Sequence, residues 1–433
     1  MNNFIRRLIQ SSELRRRILI TLGILLLTRV LVHIPLAAVT EDRLRQFFAN
    51  SGNQAFGLLD IFSGGGLSQF SVVLMGVGPY ITASIIMQLL TVIVPTLEAL
   101  QKEGEFGRQR INQYTRYLTV PLSFLQGYAT LLLLRSQDIL NAWTTPQLIG
   151  MLITATAGSM LLMWLGEIIS ESGIGNGISL IITIGVLAGL PTMFLQKYSL
   201  IVAGGVIDTN ELLKFLVFIL ASILLIAVIV VMNDAIRKIP VTYARRLRGT
   251  TAAEGVNTYL PIKVNTAGVI PIIFAISMLL FPQVIARFFA EAKTPWVRTV
   301  AHWVETNLSS QSNALLYGVL YFLLVMFFTY FYTSIVFNPT QMAENLQKQS
   351  GFIPGIRPGN ETAKYLSSMI ARITFMGSIF LGLVAILPVI VPLWTGDQTL
   401  ILGGTGILIV VSVVIETMRQ INAQLVMTSY DRY

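Results

Sequence analysis

The side chains that usually perform catalysis or bind metals are scarce and scattered in this chain of 433 residues. It has no cysteine, which excludes disulfides, thiolate metal sites and cysteine nucleophiles. Its two histidines, His33 and His302, lie far apart, so they predict no metal cluster, and each is expected near the end of a membrane helix. The phosphate-binding pattern GxxxxGK[ST] does not occur, so we expect no nucleotide hydrolysis. The residue types therefore predict a protein that is not an enzyme and needs neither cofactor nor metal.

The composition indicates a membrane protein. Hydrophobic residues make up 54% of the chain and charged residues only 12%, whereas soluble domains are about a quarter charged. Ten apolar runs are long enough to cross the roughly 30 Å of hydrocarbon in a bilayer. They lie near residues 18–36, 70–94, 117–134, 148–166, 176–196, 213–232, 269–288, 314–337, 374–394 and 400–416. We therefore predict an all-α polytopic membrane protein with ten transmembrane helices.

The net charge of +9 is first an indication of how the chain is oriented in the membrane. The basic segment 1–17 is typical of a short amphipathic stretch that lies on a membrane surface. If it lies inside, 21 of the 30 lysines and arginines fall on the same side. By the positive-inside rule, both termini are then expected in the cytoplasm. That side also holds the tail 417–433 and the loops 95–116, 233–268 and 338–373.

The two longest of these loops carry patterns of their own. The loop 233–268 contains the strand-like stretches "IPVTYA" and "NTYLPIKV", which predict a hairpin. The loop 338–373 has turn residues at its centre and a helical pattern towards its end. The two loops are either solvated connectors that carry the orienting charges or a docking platform for a large cytosolic partner, and composition leaves both interpretations open.

Glycine-rich breaks interrupt or flank several spans. They are "FSGGG", "GVGPY" in the second span, "GIGNG" at the start of the fifth, "GVIP" at the start of the seventh and "GGTG" within the tenth. Irregular backbone at membrane depth is tolerated only where protein buries it or where it lines a watery cavity. Several such breaks in one chain therefore predict an internal cavity.

The side chains around such a cavity are almost uncharged. Ion-coupled carriers usually embed acidic or basic residues at mid-membrane, but here Glu167 and Glu416 are expected at the ends of their spans. An apolar cavity suits a pore, because hydrophobic constrictions close by dewetting. A solute transporter built on inverted repeats is the alternative, and a purely structural membrane scaffold is a third hypothesis.

Seven motifs, in order along nearly the whole chain, resemble the SecY family of protein-conducting channels. They are "LLDIFSGGGLSQFSVVLMGVGPYITASIIMQLL", "EGEFGRQRINQYTR", "ESGIGNGISLII", "RKIPVTYARR", "YLPIKVNTAGVIPIIFA", "FNPTQMAENLQKQSGFIPGIRPG" and "GGTGILIVV". The resemblance implies two pseudo-symmetric halves, 18–196 and 213–416, joined by a hinge loop at 197–212 and opening like a clamshell. Unfolded secretory polypeptides would pass between the halves, and membrane segments would leave sideways.

The resemblance also assigns roles to particular residues. The segment from Leu58 to Gly66 would be a short re-entrant helix, the plug, which closes the far funnel and swings on its glycines. It comprises Leu58, Leu59, Asp60, Ile61, Phe62, Ser63, Gly64, Gly65 and Gly66. The pore constriction would be formed by Ile81, Ile85, Ile182, Val186, Ile273 and Ile409. Gln88 and Asn265 would lie at the lateral gate, where a hydrogen bond between amides could hold the seam shut.

The partners implied by the resemblance are the SecE and SecG subunits, the SecA ATPase, the ribosome, precursor proteins with signal sequences, and membrane lipid. Arg357 would contact the ribosome or SecA, and Arg245, Arg246 and Arg248 would form the basic stem of the other loop. Thr250 and Thr251 stand at that loop's tip, where many members carry arginines. The expected location is a bacterial inner membrane, with a thylakoid or plastid membrane as the alternative.

Overall fold

Thirteen helices and three short strands make up the part of the chain that the computed structural model describes, which is residues 11–36, 60, 63–136, 144–202, 208–243, 256–265, 267–289, 294–308, 313–395 and 403–430. The helices are α1 (Ser12–Val32), α2 (Gly78–Ile93), α3 (Pro95–Lys102), α4 (Glu105–Ser136), α5 (Thr145–Ser172), α6 (Gly177–Ile201), α7 (Thr209–Asp234), α8 (Ile270–Phe289), α9 (Pro295–Asn307), α10 (Ala314–Val336), α11 (Pro339–Lys348), α12 (Asn360–Thr395) and α13 (Gly403–Tyr430). The strands are β1 (Ile236–Tyr243), β2 (Val256–Lys263) and β3 (Gly351–Phe352).

Ten of these helices overlap the ten predicted spans, which are α1, α2, α4 to α8, α10, α12 and α13. In the described residues, five helices are individually long and apolar enough to cross a membrane, and α2 with α3, bent by 99° at their junction, makes a sixth candidate. The prediction of an all-α polytopic membrane fold is confirmed. α7 is the most apolar of these helices and has little of its surface buried against the rest of the chain.

Several helix ends differ from the prediction. α12 begins at Asn360, so the helical pattern expected towards the end of the loop 338–373 is present and is continuous with the apolar run that begins near residue 374. α6 continues to Ile201, so the expected hinge loop begins as helix. The break expected at "GGTG" is wrong, because these residues form the first turn of α13. Gly406 lies there against Val186, whose Cγ1 would be 2.9 Å from a Cβ at position 406.

The first part of the predicted second span is not helical. Residues 70–77 form successive turns, and α2 begins only at Gly78. This segment pairs with the end of α1, where the Leu36 amide donates to the Phe70 carbonyl (2.8 Å) and the Val72 amide donates to the Ile34 carbonyl (3.0 Å). The expectation of irregular backbone at "GVGPY" is therefore confirmed.

Both long loops contribute to one folded body, which we call the peripheral domain and define as β1, β2, β3 and α11. The predicted hairpin is present, with Ile236 opposite Lys263 and Tyr243 opposite Val256. The other loop adds β3 to the free edge of β1. The apolar core of the domain comprises Ile239, Val241, Ile262, Leu346 and Ile353 and extends to Leu366 and Ile370 of α12. The two loops are thus one structure and not separate connectors.

Close backbone contact fixes α5 against the turns that precede α2. A Cβ at Gly158 would overlap the carbonyl oxygen of Val72, which is backbone and cannot rotate away. Gly150 lies on the same helix with no atom within 4 Å of the position a Cβ would take. These two glycines therefore give a matched test and control position on the same helix.

We predict that Gly158→Ala destabilises the protein by about 1–3 kcal/mol, the usual cost of overpacking a filled interior. Gly150→Ala is the control and is expected to leave stability unchanged. Thermal unfolding of the purified protein in detergent measures the difference. Equal melting temperatures for both variants would show that α5 and the turns can separate without cost.

Candidate functional site

An apolar cluster lies where helices from both parts of the chain meet. Ile81 and Ile85 of α2, Ile182 of α6 and Ile409 of α13 are all buried in it, and Ile273 of α8 packs against it. Val186 is also buried, and it lies against Gly406 near the start of α13. The structure thus brings five of the six expected constriction residues into one cluster. Branched aliphatic side chains of this kind exclude water and ions without offering them a binding site.

The two acidic residues expected at the ends of their spans differ in position. Glu167 near the end of α5 forms a two-pronged ion pair with Arg116 of α4, with Nε–Oε1 and Nη2–Oε2 distances of 2.8 Å each. Glu416 is exposed and lies midway along α13, because this helix continues to Tyr430. Within the described part of the chain, no three of the histidine, aspartate and glutamate side chains are close enough together to hold a metal ion.

The segment expected to form the plug is a compact hydrogen-bonded unit where it is described. The Asp60 carboxylate accepts the Ser68 amide (2.8 Å), and its carbonyl accepts the Gly65 amide (2.9 Å). The Ser63 hydroxyl accepts the Leu67 amide at 2.9 Å. Gly64 and Gly65 have φ of +68° and +90°, a left-handed conformation that favours glycine. Four expected plug residues lie outside the described residues: Leu58, Leu59, Ile61 and Phe62.

Arg29 holds this unit to α1. Its Nη1 donates to the Gly64 carbonyl at 2.9 Å. A Cβ at Gly64 would lie 3.7 Å from the Cα of Gly185 in α6 and 3.8 Å from Nη2 of Arg29. The unit is therefore in contact with both α1 and α6. No role for Arg29 was predicted, although a lone arginine in an apolar span is a signal for a buried acceptor.

The two amides expected at the lateral gate do not bond to each other. Gln88 donates to Ser84 Oγ on its own helix at 3.3 Å, and its Oε1 is buried without a partner. Asn265 donates to Asn233 Oδ1 (2.8 Å) and accepts the Gly268 amide (3.0 Å). The expected amide-to-amide bond is therefore wrong, because each side chain has a nearer polar partner. The seam itself is present, since α8 contacts both α2 and α4.

A polar network beside Asn265 ties α13 to the end of α7 and was missed from the sequence. Asn233 donates to Ser412 Oγ at 2.9 Å. Arg419 donates to the Asn233 carbonyl at 2.8 Å and pairs with the Asp234 carboxylate. The next residue, Gln420, accepts the amide of Gly175 in the "GIGNG" turn with its side chain at 2.9 Å. α13 is thus bonded to elements on both sides of it.

Arg357 is exposed at the surface of the molecule, directly beside the peripheral domain. It lies between Gly355 and Gly359, whose φ values of +82° and +99° turn the chain sharply. Its carbonyl accepts the Thr362 hydroxyl at 3.0 Å, while its guanidinium has no bond to any described residue. The other residues expected at this surface lie outside the described residues: Arg245, Arg246, Arg248, Thr250 and Thr251.

Apolar membrane helices packed around an aliphatic core, beside a folded peripheral domain, define a channel-like membrane protein. The family model for SecY matches residues 71–418, so the chain belongs to the SecY family. A SecY protein translocase subunit from Streptomyces galbus is 43% identical over 444 residues, which cover 99% of this chain and 98% of that protein. The resemblance inferred from the motifs is confirmed, and the chain is a multi-pass protein-conducting channel subunit.

Solved structures share the fold at low sequence identity. A SecY translocation channel, studied for the role of its plug domain in the closed state and the membrane seal, matches with a TM-score of 0.64 and 20% identity. Sec61 in a canine ribosome-channel complex from the endoplasmic reticulum matches with a TM-score of 0.63 and 20% identity. Each match covers 96% of this chain and 93% of the other chain.

Proposed function

We propose that this chain is the central subunit of a channel that moves unfolded secretory polypeptides across a bacterial inner membrane, with both termini in the cytoplasm. The observation that carries the proposal is that Ile81, Ile85, Ile182 and Ile409, which come from three helices, are all buried in one extended apolar core cluster. Aliphatic side chains can yield around a passing chain of almost any composition. The halves 18–196 and 213–416 would separate to open the pore, and the seam between α8 and the pair α2 and α4 would release apolar segments to lipid.

The channel supplies no chemistry of its own, so energy and cargo must come from partners. The exposed guanidinium of Arg357 suits the phosphates or carboxylates of such partners. The SecA ATPase and the ribosome are the proposed partners at the peripheral domain, and the second is supported by the Sec61 structure with its ribosome. SecE and SecG are the proposed small subunits, with SecE holding the two halves together.

Residues Leu58 to Gly66 act as the plug in this proposal. The bond from Arg29 to Gly64 holds the plug against α1 in the closed state. Gly64 and Gly65 have no Cβ, so the backbone that connects the plug to the turns before α2 can leave its present left-handed conformation at little cost. Displacing the plug would break this bond.

The first experiment tests whether a polypeptide passes the aliphatic cluster. Because the chain has no cysteine, Ile85→Cys provides a single site for a crosslinker, and a secretory precursor is stalled partway through export. We expect a crosslink to the precursor that disappears when its signal sequence is deleted. Leu220→Cys on the exposed surface of α7 is the control and is expected to give none. A chain that crosslinks nothing from Ile85, but takes up a small solute with an ion gradient, would be a transporter instead.

The second prediction concerns the plug. Arg29→Met removes the charged hydrogen bond to Gly64, and such bonds contribute about 1.5–3 kcal/mol. We therefore expect the resting channel to conduct ions at least about tenfold more often in planar bilayers. Arg29→Lys keeps a charged donor and is expected to stay closer to the unmodified protein. Unchanged resting conductance in Arg29→Met would show that Arg29 does not hold the closed state.

The third prediction concerns docking. Arg357→Glu is expected to weaken ribosome binding to vesicles carrying the channel by about tenfold or more, because it reverses a charge that faces the partner. Lys348→Glu, an equal charge reversal on the exposed surface of α11, is the matched control. Cosedimentation of ribosomes with the vesicles gives the measurement. Equal losses in both variants would mean that only the net charge of the domain matters.

A further inference from the structure

The short helix α9 carries an exposed apolar strip about two turns long, with a tryptophan near each end. Trp296, Val300 and Trp303 are 69%, 54% and 61% exposed. At about 100° per residue, these three positions share roughly 60° of the helix circumference. They form a narrow apolar stripe, which we call the tryptophan stripe.

A second side of α9 packs against the rest of the chain. Ala301 is only 4% exposed, and Val297 and Val304 are half-buried. α9 contacts α8 along this side. The buried Gln283 of α8 adds a direct bond, because its Nε2 donates to the Leu308 carbonyl at the end of α9 (2.8 Å). The helix is therefore held firmly in place, and the tryptophan stripe does not result from a loose attachment.

The third side of α9 is polar. Arg298, His302 and Thr306 are exposed there, and the Thr306 hydroxyl donates to the His302 carbonyl at 2.7 Å. The polar side and the tryptophan stripe point in roughly opposite directions, with the packed side between them. A helix lying flat on a bilayer has this arrangement, with lipid below it, water above it and protein beside it.

The position of α9 in the chain fits the same geometry. α9 connects α8 to α10 at the end of these helices that lies away from the peripheral domain. The last residue of α8, Phe289, and the second residue of α10, Leu315, are 49% and 76% exposed, as expected for side chains facing lipid. The tryptophan stripe therefore continues the apolar outer surface of two membrane helices at the level where each of them ends.

We propose that α9 lies in the headgroup layer of the leaflet opposite the peripheral domain, with the tryptophan stripe inserted between lipids. Tryptophan is enriched at this level of membranes, because its ring is apolar and its N–H group can bond to water or headgroups. Because Gln283 bonds α8 to the end of α9, the lipid contact of α9 also fixes the depth of α8 in the bilayer. The inference depends only on the chain being a membrane protein, and so it stands or falls separately from the proposed translocation of polypeptides.

Spin-label accessibility tests the proposal in the full chain, reconstituted in phosphatidylcholine vesicles. Single cysteines replace one residue of the stripe, Val300→Cys, and one of the polar side, Arg298→Cys. Leu323→Cys on the exposed surface of α10 gives the lipid reference, and Arg357→Cys gives the water reference. Each label is measured for collision with oxygen, which dissolves in lipid, and with a nickel chelate, which stays in water.

We expect the label at position 300 to collide several-fold less often with nickel than the label at 298, and more often with oxygen. Equal nickel accessibility at both positions would overturn the proposal, because α9 would then project into water. A label at 300 that is shielded from both reagents would overturn it as well, since protein and not lipid would cover the stripe.

A second variant tests the tryptophans themselves. Trp296→Ser with Trp303→Ser, in the Val300→Cys background, is expected to raise nickel collisions at position 300 several-fold while the label at Leu323→Cys keeps its lipid environment. A label at 300 that stays at the same depth would show that the tryptophans do not hold α9 in the lipid.

Discussion

Hydrocarbon offers no hydrogen-bond partners, and this constraint determines how the first five membrane helices are arranged. The turns before α2 leave many peptide groups outside helical hydrogen bonding, and the protein itself must bond them. Asp60 and Ser63 accept amides within the segment, and the Ile34 carbonyl, just after α1, accepts the Val72 amide. Gly158 lets α5 approach the backbone closely enough to bury it. The irregular turns of residues 64–77 are therefore also where α1, α5 and α6 come together.

Much of the fold could be predicted from local patterns. The ten apolar runs gave the spans, and alternation with turn residues gave the hairpin of β1 and β2. The two-residue strand β3 could not be predicted, because it exists only where it meets the edge of β1. The helix α11 was also missed, because hydropathy identifies the segments that enter the membrane and not short polar helices outside it. The glycines of "GGTG" were misinterpreted because they serve close packing against Val186 rather than a break.

The functional site was harder to predict from sequence patterns than the fold. Most membrane helices have several isoleucines or valines, and only the motif resemblance distinguished Ile85 or Ile409 from ordinary core residues. The polar contacts were harder still, because Arg29 bonds to a residue 35 positions away and Gln420 to one 245 positions away. Separations of this size leave no trace in local spacing. The hydrogen bond expected between Gln88 and Asn265 is absent for the same reason. Asn265 bonds instead to Asn233, a nearer partner that the sequence did not indicate.

The bonds in the second half of α13 give that helix a fixed point. Arg419 and Gln420 anchor it to the end of α7 and to the turn before α6. Ile409 lies eleven residues from Gln420 towards the start of the helix, at about 16 Å along the axis for a rise of about 1.5 Å per residue. A tilt of about 10° around these anchors would displace Ile409 by roughly 3 Å. Such a rotation would widen the aliphatic cluster and strain the Asn233–Ser412 bond, which lies between the anchors and Ile409, while the anchors themselves stay in place.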